Sequence, residues 1–269
     1  MRVLAALILL VVSLAPAQVR EPFFFIQAAD PQFGFGAWSL TDFRQETANF
    51  EFLVATANRL RPAFVVVTGD LVNRASNPGQ VAEFQRVASR LDKSVPLYTL
   101  PGNHDIGDVV APDHLANYRK SFGPDYHTFR HGGAAFFALN SCMISNPQRV
   151  PEEFARQEKW LREELEKARR DGIERLIVFQ HHPWFLAAAD EPDQYRNILL
   201  ERRKPYLALF REYGVSHVFA GHLHRNVLAS DGGLEMVTTA SIGPARGKDH
   251  SGFRVVIVRP DAEIGRAHV

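Results

Sequence analysis

Five times along this chain an apolar run stops at a small polar motif. Phe23-Phe24-Phe25-Ile26 runs on to Asp30-Pro31-Gln32, the β-branched run Ala63 to Thr68 stops at Gly69-Asp70, and Leu97 to Leu100 leads into Gly102-Asn103-His104-Asp105. Leu176 to Phe179 is followed by His181-His182-Pro183, and His217 to Ala220 by Gly221-His222-Leu223-His224. Such short apolar runs read as buried strands. Between them apolar residues recur at helical spacing: Phe43, Phe50, Leu53, Val54, Ala57 and Leu60, then Val81, Phe84, Val87, Ala88 and Leu91. Phe154, Leu161, Leu165 and Ala168 mark a third helix, and Leu207, Phe210 and Tyr213 a fourth. Strand–helix alternation predicts a layered α/β fold. In such folds ligand chemistry gathers in loops beyond the carboxyl ends of the strands, where all five motifs fall. Ala134 to Leu139 reads as one more strand, and Leu228, Leu234 to Thr238 and Phe253 to Val258 as closing strands without helices between them. That late run predicts a second sheet.

Composition narrows the function classes. A formal net charge of +1 gives no basic field to hold nucleic acid, and a single cysteine, Cys142, rules out an intrachain disulfide and a thiol-rich structural metal site. Cys142 follows an apolar run and reads as a core thiol. Arg2, the apolar run Val3 to Leu14 and the small-x-small triplet Ala15-Pro16-Ala17 read as a signal peptide over residues 1–17, too short for a membrane span. The chain is therefore expected to be exported, periplasmic or secreted, with one domain over residues 18–262. Residues 263–269 (Glu-Ile-Gly-Arg-Ala-His-Val) match the translation of a common sequencing-adapter read-through and are expected to be a non-native tail.

The motifs supply Asp carboxylates, an amide oxygen and imidazoles, a donor set suited to borderline divalent ions such as Mn, Fe or Zn. They offer too many ligands for one catalytic ion, so two are expected, with Asp70 as the carboxylate that bridges them. Two such ions lower the pKa of a bridging water and clamp a phosphoryl group. His104, beside Asp105, is positioned to supply the leaving group's proton, with the carboxylate expected to orient the ring. Gly69, Gly102 and Gly221 each precede a candidate ligand and permit close backbone approach. His114, His127, His131, His217 and His250 have no comparable motif.

The order GD, GNHD, GHxH resembles the calcineurin-like metallophosphoesterase superfamily from about Phe23 to Val258. The stretches Gln27 to Gly34 and Phe179 to Phe185 resemble its branch of Ser/Thr phosphatases. The resemblance implies a four-layer α/β/β/α sandwich with two central mixed β-sheets. It implies that Asp30 and His224 hold one metal, Asn103, His181 and His222 the other, with Asp70 between them, and that His181 rather than His182 is the ligand. His104, paired with Asp105, would act on the leaving group. One position departs from the pattern: Gln32 stands where the superfamily usually has His, so that ligand would be an amide oxygen or be replaced by water. The implied activity is hydrolysis of phosphomonoesters, small or on a phosphoprotein, by a metal-bridging hydroxide. A phosphodiesterase on the same bimetal core is the alternative, and a non-catalytic binding scaffold a second. Phe33, Phe35, Trp38, Trp184 and Phe185 lie near motif loops as an apolar wall or as packing, and Arg246 as a phosphate contact or a solvated loop residue.

Overall fold

The computed structural model describes residues 21–36, 41–259 and 264–268. The signal segment, Trp38 and the first and last residues of the C-terminal tail lie outside them.

Two mixed sheets face each other. The first has the strand order β11-β10-β1-β2-β3, built from β1 (Phe23–Ala28), β2 (Val65–Thr68), β3 (Leu97–Leu100), β10 (Arg254–Val258) and β11 (Ile264–His268). β1, β2 and β3 are parallel, whereas β10 runs antiparallel to β1, with Phe25 opposite Val256. The second has the order β4-β5-β6-β7-β9-β8, from β4 (His127–His131), β5 (Ala134–Ala138), β6 (Arg175–Phe179), β7 (Val215–Ala220), β8 (Val227–Asp231) and β9 (Leu234–Thr238). Its centre is parallel and its two edge pairs are antiparallel hairpins. Both sheets are thus mixed, as expected. The late strands do not form a sheet of their own: β8 and β9 extend the second sheet and β10 returns to the first.

Alternation along each strand builds the layers, because successive side chains point to opposite faces. Phe25, Phe64, Val66, Phe136, Ile177, Phe179 and Phe219 fill the space between the sheets. Phe64 stacks on Phe25 at 4.7 Å and meets Phe136 edge-on at 4.9 Å, which accounts for much of the Phe-rich composition. Burying each such ring contributes about 1.5–3 kcal/mol. Ile26, Val65 and Val67 face outward against α1 (Arg44–Leu60), α2 (Pro78–Ala88) and α4 (Pro112–Phe122). Phe137, Val178, Val218 and Met236 face α6 (Pro151–Arg170) and α7 (Leu200–Tyr213) on the other side. The result is the four-layer α/β/β/α sandwich. Two one-turn helices, α3 (Asn103–Ile106) and α5 (Ser141–Ser145), sit at the strand ends.

A buried polar seam ties the two sheets at one end. Gln27 Nε2 donates to Thr68 Oγ1 at 2.8 Å, the Thr239 hydroxyl donates to Gln27 Oε1, and Arg254 Nε donates to Thr239 Oγ1 at 3.1 Å. Backbone bonds continue the seam, from Asp30 N to Gly69 O at 3.1 Å and from Gly221 N to His181 O at 3.0 Å. This end is where β1, β2, β3, β6 and β7 all finish.

The C-terminal tail contains β11, paired antiparallel to β10. The open edge of β10 presents unpaired backbone groups to whatever strand lies beside it, independent of side chains. Cys142 is buried, as its apolar context predicts. Among the described residues no helix is long and apolar enough to cross a membrane.

Candidate metal centre

Three of the five motifs turn sharply at their strand ends. Asp30, Gln32, Asp70, His222 and His224 adopt left-handed backbone, with φ of 51°, 41°, 50°, 71° and 55°. Non-glycine residues held there cost about 1–3 kcal/mol each, and such strain clusters at functional sites. Two glycines make the turns possible. A Cβ on Gly102 would overlap the Asp70 carboxylate and backbone nitrogen, and one on Gly69 would lie 2.5 Å from His181 Nδ1.

The turns bring Asp30, Asp70, Asn103, His181, His222 and His224 into one buried cluster. His181 Nε2 lies 3.1 Å from Asn103 Oδ1, 3.3 Å from His222 Nδ1 and 3.4 Å from Asp70 Oδ2. His224 Nε2 lies 3.5 Å from Asp30 Oδ1. Asp30, Asp70 and His224 form one group able to hold an ion; His181, His182 and His222 form a second.

The imidazoles share one arrangement. His181 Nδ1 faces Thr68 O at 2.9 Å, His224 Nδ1 faces Pro244 O at 2.7 Å and His222 Nε2 faces Tyr195 O at 3.3 Å. A carbonyl can only accept, so each of those nitrogens carries a proton and the other nitrogen faces the cluster, where it can meet a cation once free of any proton of its own. His182 differs. Ser141 Oγ already accepts from His181 N and His182 N, so its own hydrogen goes to His182 Nδ1 at 3.0 Å. The proton of a neutral His182 then sits on Nε2, which makes that ring a donor and not a ligand.

Charge completes the picture. Burial pushes the Asp30 carboxyl well up, and pushes Asp105 up to about 7 with help from Asp70. Burial opposes charge on Asp70 too, but His181 outweighs it and holds that carboxyl far below its usual range. Burial likewise opposes charge on His181, yet the carboxylates of Asp70 and Asp30 raise it to about 9. His222, depressed by burial and by His181 to about 3, and His224, depressed chiefly by burial to about 4, are neutral, the form that binds metal. Buried carboxylates thus demand positive charge at their centre while neutral imidazoles offer lone pairs. Gln32 adds an orphan: Oε1 is buried with no hydrogen-bond partner among the described residues, while Nε2 reaches Asn73 Oδ1 at 3.4 Å. An unpaired buried amide oxygen beside that cluster fits a cation or a water that accompanies one.

One expectation is corrected. Asp105 does not orient His104. Its carboxylate accepts from Gly102 N at 2.8 Å and from Leu71 N and Val72 N, each at 3.1 Å, so it ties the Asp70 and Asn103 loops together. His104 Nδ1 lies instead 3.0 Å from Asn73 O, and its backbone nitrogen donates to Asp70 Oδ1 at 2.9 Å. Adjacent residues in a one-turn helix point in different directions, which separates the two side chains. Phe33, Trp184 and Phe185 are core packing, whereas Phe35 touches the rings of His224 and His104 at 5.2 and 6.3 Å.

Tyr195 has no counterpart among the sequence motifs. It is 70% exposed, its ring lies 5.2 Å from that of His222, and its hydroxyl lies 3.4 Å from Asn103 Nδ2, which turns the Asn103 oxygen toward the cluster. Its loop is fixed from both sides. Glu191 accepts from Leu186, Ala187 and Ala188 backbone nitrogens and from Asn197, and buried Arg203 donates to Ile198, Ala189 and Glu191 carbonyls.

Comparison with known proteins agrees with this geometry. The calcineurin-like phosphoesterase profile matches residues 25–226. The chain is 38% identical over 253 residues to the serine/threonine-protein phosphatase CPPED1 of Bos taurus, covering 89% of this chain and 81% of that protein. It is 37% identical over 264 residues to the protein of the same name from Homo sapiens, covering 92% and 83%. Among solved structures, a dimetal phosphatase from Danio rerio shares the fold with a TM-score of 0.64 at 17% identity, over 94% of this chain and 99% of that one. The motifs, the sandwich and these relatives agree: the chain belongs to the calcineurin-like phosphoesterase family and is a metal-dependent hydrolase of phosphoester bonds.

Proposed function

We propose that this protein is an exported phosphatase of phosphomonoesters, acting on small phosphate esters or phosphoproteins through two divalent cations. The observation that carries the reading is the shared arrangement of His181, His222 and His224, each anchored by one nitrogen on a backbone carbonyl and open to the cluster by the other. In this reading Asp30 and His224 hold one cation, with Gln32 Oε1 or a water beside it, and Asn103, His181 and His222 hold the other. Asp70 lies between them. When bound, two such ions would supply a water of lowered pKa and neutralise the phosphoryl oxygens.

The chain's own groups do the rest. Asn73 O keeps a proton on His104 Nδ1, so proton exchange falls to Nε2: in the imidazolium form Nε2–H donates to the alcohol oxygen as its P–O bond breaks, leaving the neutral ring with its Nδ1 proton. His104 also borders a cavity of about 520 Å³ lined by Arg74, Ile106 and His114, wide enough for a leaving group. Asp105 keeps the Asp70 and Asn103 turns in register, and Tyr195 holds the Asn103 amide. The relatives named as serine/threonine-protein phosphatases support phosphomonoesters over diesters. Export rests on the pattern of residues 1–17.

Parallel assays with p-nitrophenyl phosphate, bis-p-nitrophenyl phosphate and a phosphoserine peptide, with Mn, Fe or Zn added to chelator-treated protein, test the reading. Metal-dependent release from the monoester and the peptide, at rates well above the diester, is expected. A preference for the diester would replace this reading with the phosphodiesterase one. Amino-terminal sequencing of the chain recovered outside the cytoplasm is expected to begin at Gln18.

A further inference from the structure

Beside the cluster lies a cavity of about 210 Å³, walled by Tyr195, Arg196, His222, Leu223, Arg225, Arg246 and Gly247. His222 belongs to both the cavity and the candidate metal centre, so the two spaces are neighbours. The lining contains three arginines and no acidic residue. Several arginines elsewhere are ion-paired, Arg86 with Glu83 and Glu51, Arg119 with Asp125 and Glu153, and Arg211 with Asp231. Among the described residues, neither Arg196, Arg225 nor Arg246 has an acidic partner within ion-pair distance.

Arg246 is also anchored near the reacting centre, and the other two arginines stand next to residues of that centre in the chain. The guanidinium of Arg246 lies 5.4 Å over the Phe35 ring, which itself packs on His224, and its backbone nitrogen donates to His224 O at 2.9 Å. Arg225 directly follows His224. Arg196 follows Tyr195 on the loop that Glu191 and Arg203 hold in place. Three like charges drawn together without a counter-charge repel one another and are relieved by an anion. Arginine's planar fork suits a carboxylate or a phosphate, and the cavity has room for one such group.

We propose that the cavity of Arg196, Arg225 and Arg246 is a second anion site, which takes a carboxylate or phosphate carried by the substrate beside its scissile phosphoester. The inference rests on the phosphatase reading for what fills the centre next door. It deepens that reading by naming a substrate class, phosphoesters that carry a second negative group. An acidic residue flanking a phosphoserine and the distal phosphate of a small bisphosphate present the same chemistry.

Binding and turnover test it separately. Fluorescent peptides carrying a non-hydrolysable phosphonate analogue of phosphoserine, flanked by Glu or by Ala, are titrated against metal-loaded protein. A sugar bisphosphate and its monophosphate serve as competitors. Hydrolysis of the matching phosphoserine peptides is measured alongside, so a failed phosphatase reading shows as absent turnover while binding still reports on the cavity. The wild type is expected to prefer the Glu-flanked peptide, or the bisphosphate, by about tenfold, the sum of two or three partly exposed charge pairs. That preference shrinks as salt rises, because exposed pairs are screened. Preference for the peptide alone, or for the bisphosphate alone, identifies the source of the anion. In Arg196→Gln/Arg225→Gln the preference is expected to fall below about threefold. The same preference in that variant, or none in the wild type with either probe, overturns the proposal.

Discussion

His104 takes its orientation from Asn73, whose carbonyl lies 3.0 Å from Nδ1, while the neighbouring Asp105 spends its carboxylate on three backbone nitrogens. Two adjacent residues of one motif therefore have separable jobs, and their substitutions should fail differently. His104→Ala is expected to keep the fold and the metal and to lower kcat by about 100- to 10,000-fold, most for alkyl leaving groups that need a proton. Asp105→Asn puts an amide NH₂ against converging N–H donors, so it is expected to cost about 1–3 kcal/mol of stability and to weaken metal retention. Thermal unfolding, metal analysis and kinetics on alkyl and aryl phosphates read the contrast. Equal loss of stability in both variants would contradict it.

The cluster's charge gives a sign for pH dependence. His181 titrates at about 9, above its ordinary 6.5, because the carboxylates of Asp70 and Asp30 outweigh burial. A raised histidine stabilises the fold fully below 6.5, and this contribution is lost as pH rises through about 9. Asp105, raised from 3.8 to about 7 by burial and by Asp70, has the same sign but an earlier window, its contribution being lost as pH rises to about 7. Protein kept in chelator is thus expected to lose melting temperature between pH 6.5 and 9.5, and bound metal to reduce that loss by replacing the proton. Melting curves in chelator and in saturating Mn test this. A flat or rising profile in chelator would contradict it.

Gly102 is the tightest steric point, since its Cβ would fall on the Asp70 carboxylate and backbone. Gly102→Ala is expected to displace Asp70, cost about 1–3 kcal/mol and abolish metal-dependent turnover. Retained activity at wild-type melting temperature would show that the turn tolerates more than its geometry implies.

Gln32 leaves a buried amide oxygen without a partner. Gln32→His replaces it with an imidazole, and histidine is among the residues that accept the left-handed backbone there. The metal concentration for half-maximal activity is expected to fall several-fold, measured in metal buffers. An unchanged or higher requirement would mean that this position does not face the cation.

Much of this site is legible in the lettering of the chain, for a physical reason. Asp30, Asp70, Asn103, His181, His222 and His224 each follow an apolar run, and a strand's end shows in composition. What depends on distant contacts is not legible. Ser141 sets the tautomer of His182 from 41 positions away, and Tyr195 reaches Asn103 from 92, in a loop with no apolar period. The side chain of Asp105 is next to His104 in sequence but turned elsewhere by helical geometry. β4 escapes notice because its residues, half-buried at a sheet edge, alternate weakly. α4 is similarly hidden, with only Leu115 and Tyr118 buried along a polar helix. β11 pairs through its backbone, to which sequence periodicity is blind.

The central claim is that six side chains converge to hold two cations, with Asp70 between them. Elemental analysis of wild type and Asp70→Asn after metal loading tests it most directly, with p-nitrophenyl phosphate turnover measured on the same samples. The account predicts two ions per wild-type chain, and no more than one in the variant with turnover at background. Full activity in wild type holding fewer than two ions, or two ions and undiminished turnover in Asp70→Asn, would contradict it.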